Sequence, residues 1–191
     1  MAVRKRRAPG PPAVEIRPAV RADLPALARL GAKLARAHHA MDADRFFLPE
    51  EPLEEGYAWW LGKELANPRA VVLAATAPPG GILGYAYGRI EPRDWNTLRD
   101  RCGVGVDLWV EPAARGAGVG ARLLDALADA LARRGAERVV VDVAARNPKA
   151  ARLFARMGFR PTMLEMTREA PPRDKPPRRR AARRRRATGR G

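Results

Sequence analysis

Asp107-Leu108-Trp109-Val110-Glu111-Pro112-Ala113-Ala114-Arg115-Gly116-Ala117-Gly118-Val119-Gly120 runs out of an apolar stretch, past a proline, into three glycines within six residues. Residues 104–110 read as a strand that Pro112 ends. Leu123, Leu124, Leu127, Ala128 and Leu131 then mark one face of a helix over 121–134, closed by Gly135. Glycines between a strand and a helix let the backbone turn tightly and come close to a ligand. The first N–H groups of the helix are unpaired and carry the positive end of its dipole. A pyrophosphate suits that context.

Other phosphate loops fit less well. A nucleotide P-loop ends in Gly-Lys-Ser/Thr, whereas Gly118-Val119-Gly120-Ala121 has neither the lysine nor the hydroxyl. A dinucleotide fingerprint spaces its glycines G-x-G-x-x-G, and from Gly116 the spacing here is G-x-G-x-G. A turn with no ligand leaves Arg115 and the glycine density without a reason.

Upstream of this segment, 14–18 reads as a first strand, with Asp23 as N-cap and Pro25 in the first turn of a helix over 23–39. A second helix over 53–65 stops before Asn67-Pro68. Residues 71–76 and 82–90 form a hairpin around Pro78-Pro79-Gly80-Gly81, with Tyr85 and Tyr87 on one face. Downstream, 138–143 is a continuous apolar run suited to a central strand covered on both faces. Pro148 opens a short helix that Gly158 ends, and 162–167 reads as a last strand. The order β-α-α-β-β-β-α-β-α-β predicts an α/β domain.

Two motifs carry a family resemblance. Leu108-Trp109-Val110-Glu111-Pro112-x-x-Arg115-Gly116-x-Gly118-Val119-Gly120 resembles motif A of the GNAT N-acetyltransferase superfamily, whose core is Gln/Arg-x-x-Gly-x-Gly/Ala. About 30 residues on, Asn147-x-x-Ala150-x-x-Leu153-Phe154 followed by Met157-Gly158-Phe159 is similar to the family's Asn-x-x-Ala-x-x-Leu-Tyr and Gly-Phe. The resemblance implies a single GNAT-type domain over 13–167, with a mixed, mostly antiparallel sheet flanked by about four helices. It implies acetyl-CoA as cosubstrate and acetyl transfer to an amine, of a small molecule or a protein, by direct nucleophilic attack. Main-chain groups of Arg115, Gly116, Ala117, Gly118, Val119 and Gly120 are then expected to hold the pyrophosphate. Leu108 and Val110 would line the pantetheine arm, with the Val110 N–H facing the developing oxyanion. Asn147 would bond the pantetheine, or cap the helix that starts at Pro148.

The sequence departs from the family at Phe154, which stands where a tyrosine usually protonates the leaving thiolate. A phenyl ring has no proton to give, so Tyr85, Tyr87 or water substitutes, the thiolate leaves unassisted, or the domain binds CoA with weak or no catalysis. Asp107 is the best-placed base, against the plainer reading of a solvated strand-end carboxylate. Glu91 and Asp94 are candidates to attract a cationic amine. His38 and His39 end the first helix where the family builds its acceptor wall; adjacent histidines face different ways and show no third ligand, so no metal is expected. Trp59 and Trp60 are read chiefly as core.

Composition limits the remaining classes. Cys102 is the only cysteine, which excludes an internal disulfide and fits a reduced, cytoplasmic setting. The basic start runs into Pro and Gly rather than an apolar core, so it does not read as a secretion signal, and no run approaches a membrane span. The net charge of +16 sits mainly in two tails predicted to be disordered. Residues 1–12 hold four basic residues, and 168–191 hold eleven basic against two acidic. Nonspecific, salt-dependent nucleic-acid contact through the arginine-rich tail, and a homodimer, are left open.

Overall fold

The computed structural model describes residues 14–50 and 52–169. Five strands, β1 (Glu15–Pro18), β2 (Ala70–Ala77), β3 (Gly81–Glu91), β4 (Cys102–Val110) and β5 (Val139–Val141), form one sheet in sequence order. All neighbours are antiparallel except β4 and β5, which run parallel. The helices are α1 (Leu24–Met41), α2 (Leu53–Glu64), α3 (Val119–Ala132) and α4 (Pro148–Arg156). This is the α/β class and helix count the patterning predicts.

The sheet is covered on both faces. Leu123, Leu127 and Leu131 of α3 bury one face together with Val71, Leu73, Ala86 and Ile90. On the other, Leu27 and Leu30 of α1 and Leu61 of α2 pack on Val72, Ala74, Tyr85 and Tyr87. Alternation along β2 and β3 sorts these residues, since successive side chains point to opposite faces.

Three expectations change. The 138–143 run forms only the three-residue β5, half-buried, and pairs with β4 alone among the described residues. Beyond Val141 the two strands part, so the remaining apolar residues have no ladder to join. Residues 161–169 form no strand. Met163, Leu164 and Met166 are exposed there, and an alternating pattern becomes a strand only where a neighbouring edge receives its hydrogen bonds. Asp23 gives α1 no cap bond. Its carboxylate instead takes both guanidinium nitrogens of Arg17, at 2.7 and 2.9 Å, and the Val20 N–H at 2.8 Å.

The expectations for the 1–12 arm, and for the tail from residue 170 on, lie outside the described residues. Among those described, no helix is long and apolar enough to cross a membrane.

Candidate active site

The site is built where β4 and β5 separate. Their ladder runs from Gly103↔Val139 to Gly105↔Val141 and stops. In the same place β4 carries a bulge: Gly88 of β3 pairs with Gly105 and the next residue, Tyr87, pairs with Asp107, so Val106 is an extra residue without a partner. The bulge inverts the alternation of the strand. A Cβ on Gly105 would meet Leu127 of α3, so position 105 faces α3. Two residues on, Asp107 lies with Tyr87 on the opposite face, toward α1 and α2. Leu108 and Val110 consequently pack into the α3 core, and Trp109 joins Tyr85 and Tyr87.

Asp107 lies in the cleft at the fork of β4 and β5, which is lined from one face by Leu34 and His38 of α1, from the other by Leu124 and Leu127 of α3, and at its end by Asn147, Ala150 and Phe154 at α4. Its Oδ2 accepts the Tyr85 hydroxyl at 2.7 Å. Burial pushes its carboxyl up to about 6, and the Tyr85 bond opposes that rise. Tyr85 is itself fully buried, and its phenol is held well above the ordinary range by burial and by Asp107. Tyr87 is engaged elsewhere, donating to Glu64 Oε2 at 2.8 Å. Of the two tyrosines, only Tyr85 is thus bonded to the cleft carboxylate.

Main-chain groups face the fork. The Glu111 N–H bonds Leu83 O of β3 at 2.7 Å. Neighbouring residues of a strand point their N–H and C=O to opposite sides, so those of Leu108 and Val110 point away from β3, to the open edge. The Val110 carbonyl there accepts Arg115 Nε at 2.8 Å, and the Arg115 guanidinium lies 4.8 Å from the Trp109 ring centre. The glycine turn follows, with Gly116 at φ 83° and Gly118 at φ 79°, both in the left-handed region. Gly118 is the N-cap of α3 and no side chain caps the helix. Among the described residues, the N–H groups of 116–121 have no hydrogen-bond partner, which gives the turn a row of free donors for an anion.

Across the cleft, Asn147 Oδ1 accepts the Ala150 N–H at 3.1 Å, so it does cap α4. Gly158, at φ 85°, ends that helix as expected. Phe154 lines the cleft and rests on Phe159, with ring centres 5.9 Å apart. His38 of α1 also lines it, stacked on Phe46 at 4.9 Å, and burial lowers its pKa toward the neutral ring. Asp142, just past β5, is a lining residue that sequence reasoning missed because it sits inside the apolar 138–143 run.

Other candidates fall elsewhere. Glu91 is bonded by Arg89 and Arg99 at the far end of the β3–β4 hairpin, and Asp94 is tied into a turn by the Asn96 N–H and the Thr97 hydroxyl. Glu91 pairs with Cys102, five residues and about 16 Å along the strand from Asp107, so neither acid reaches the cleft. Glu111 pairs with Lys33. Trp60 packs edge-on against Tyr87, as a core reading requires, but Trp59 is 65% exposed under Lys63. Cys102 is buried and its thiol pushed up by burial, which disfavours a nucleophilic thiolate.

The acetyltransferase (GNAT) family model matches residues 34–159. A phosphinothricin N-acetyltransferase of Streptomyces coelicolor is 33% identical over 157 residues, covering 80% of this chain and 85% of the relative. Among solved structures, an aminoglycoside N-acetyltransferase AAC(6')-Iy in complex with CoA superposes with a TM-score of 0.67 at 18% identity, over 85% of this chain and 98% of its own. A predicted acetyltransferase of Clostridium acetobutylicum with acetyl-CoA gives 0.62 at 19% identity, over 81% and 96%. These two establish the likeness of fold. The class is therefore that of an N-acetyltransferase, with acetyl-CoA as cosubstrate. Within that class, the chain belongs to the GNAT family.

Proposed function

We propose that this GNAT enzyme acetylates an amine that approaches from the α1/α2 face, with Asp107 as the base. The observation that carries the reading is the Val106 bulge, which turns Asp107 to the face opposite α3 at the point where β4 and β5 part. The free N–H groups of 116–121 suit the CoA pyrophosphate, and the outward edge of Leu108 and Val110 suits the pantetheine amides. Bound there, acetyl-CoA supplies a thioester carbonyl as electrophile.

The residues of the chain then divide the work. Asp107, half-buried and bonded by Tyr85, takes the proton that the amine gives up. The Val110 N–H faces the negative charge that develops on the carbonyl oxygen. Phe154 offers no proton, and Tyr85 already donates to Asp107, so the departing thiolate takes its proton from water. A thiolate tolerates this, because general-acid help is worth only ~10² to 10⁴ in rate.

The test is CoA release from acetyl-CoA across polyamines, aminoglycosides, amino acids and peptides, in the wild type and Asp107→Asn. Turnover of at least one class, reduced ~10² or more by the substitution with acetyl-CoA affinity unchanged, supports the reading. No turnover of any amine by a chain that still binds acetyl-CoA overturns it.

A further inference from the structure

We propose that the Tyr57 hydroxyl is a second hydrogen-bond partner of the acceptor nitrogen, beside Asp107, so that the enzyme favours a primary amine over its N-methyl form; this rests on the acetyl-transfer reading above. The chain has three tyrosines. Tyr85 donates to Asp107 and Tyr87 to Glu64, whereas the Tyr57 hydroxyl has no hydrogen-bond partner among the described residues. The unpaired side-chain polar atoms sealed from solvent there are Arg99 Nε and Trp109 Nε1, so the oxygen of half-buried Tyr57 reaches open space.

The ring is held while the hydroxyl is left free. A Cβ on Gly31 of α1 would lie 2.3 Å from Tyr57 Cδ1 and 2.5 Å from Cε1, so only glycine leaves room for the ring. Glycine weakens a helix interior, and this notch supplies the packing reason for one at position 31. Trp60 meets the Tyr57 ring edge-on at 5.8 Å and itself rests on Tyr87 at 4.8 Å. Tyr57 thus packs on the α1/α2 face of the sheet, against the cluster that contains Tyr85 and Tyr87. Asp107 is on that face, paired with Tyr87 and bonded by Tyr85. The groups sense one another: after burial, the Asp107 charge raises the Tyr57 phenol, and Tyr57 adds to the rise at Tyr85. Tyr57 does not line the fork cleft, so a cosubstrate arm seated there leaves it uncovered.

A phenol kept neutral has two lone pairs with which to accept. An attacking primary amine brings one lone pair and two N–H groups. The lone pair forms the bond to the thioester carbon, one N–H gives its proton to Asp107, and the other is left for Tyr57 Oη. With both N–H groups held, the lone pair stays aimed at the carbon. An N-methyl amine has only the proton that Asp107 takes, so it offers Tyr57 nothing.

The experiment takes each primary amine that releases CoA in the panel above, with 1,4-diaminobutane, alanine and glycylglycine included, and compares it with its N-methyl form. Steady-state kinetics, thermal melts and acetyl-CoA titrations are run on the wild type and Tyr57→Phe, which keeps the ring. The expected result is a fall of about tenfold in kcat/KM for the primary amines, the worth of one neutral hydrogen bond. The N-methyl amines, acetyl-CoA affinity and melting should stay as in the wild type. An unchanged kcat/KM for the primary amines overturns the proposal, as does an equal fall for both kinds of amine, or equal use of both kinds by the wild type. CoA release from no amine, by a chain that still binds acetyl-CoA, sinks the acetyl-transfer reading itself.

Discussion

The hydroxyl of Tyr85 donates to Oδ2 of Asp107 at 2.7 Å, across neighbouring strands of one sheet. This bond stabilises the charged carboxylate against the burial that opposes it, and several measurable properties depend on that balance.

With the Asp107 carboxyl near 6, kcat/KM should rise with pH through about 6 and then level as the base ionises. A pH–rate profile in Asp107→Asn should lack that limb.

Asp107 should also lower stability at neutral pH. The folded chain keeps this proton up to about pH 6, while the unfolded chain releases it near ~3.9. The folded state binds more protons in that window, so stability falls as pH rises through it and stays low above. Asp107→Asn should raise stability at pH 7.5 by roughly 1 to 3 kcal/mol, with the gain vanishing below about pH 4. Denaturant melts at both pH values decide it.

Tyr85→Phe removes the donor and keeps the ring. Because the bond favours the ionised carboxylate, the acidic limb of the profile should move to higher pH than in the wild type. An unmoved limb would mean that another donor takes the place of Tyr85.

Two glycines of the turn should respond differently. Gly118 holds φ 79°, so Gly118→Ala should cost about 1 kcal/mol and weaken acetyl-CoA binding. Gly120 has no positive φ, and a Cβ there would make ordinary contacts at 3.5 Å with Leu153 and 3.7 Å with Val110. Gly120→Ala should fold with the stability of the wild type. Thermal melts and acetyl-CoA titrations separate the pair.

Asn147→Ala should lose about 0.5 to 2 kcal/mol through the cap on Ala150, and Asn147→Asp should restore it. Equal melting of all three would remove the capping role.

Much of this fold is legible because the signals are local. Gly118 and Gly158 punctuate where the backbone needs positive φ, and the leucines of α3 repeat at helical spacing along a buried face. The bulge is not legible, because Val106 is an ordinary strand residue whose extra place is defined only by what β3 offers opposite it. Asp107 is reached from sequence through strand alternation, which puts it on the face opposite Leu108. Asp142 is not, since one acid among four valines reads as a strand until the strand is seen to end at Val141. Glu91 and Asp94 mislead for the converse reason: adjacency in sequence says nothing of a hairpin that carries them to its far end.

The unpaired residue at Val106 makes the chemistry of the sheet a matter of parity. Deleting it would return 107–110 to the other phase, placing a carboxylate against the α3 leucines and lifting Leu108 and Val110 out of them. The glycine turn would keep its composition while the carboxylate changed sides. Chain length at one codon, with every other side chain retained, thus decides which face of the sheet carries the Asp107 carboxylate.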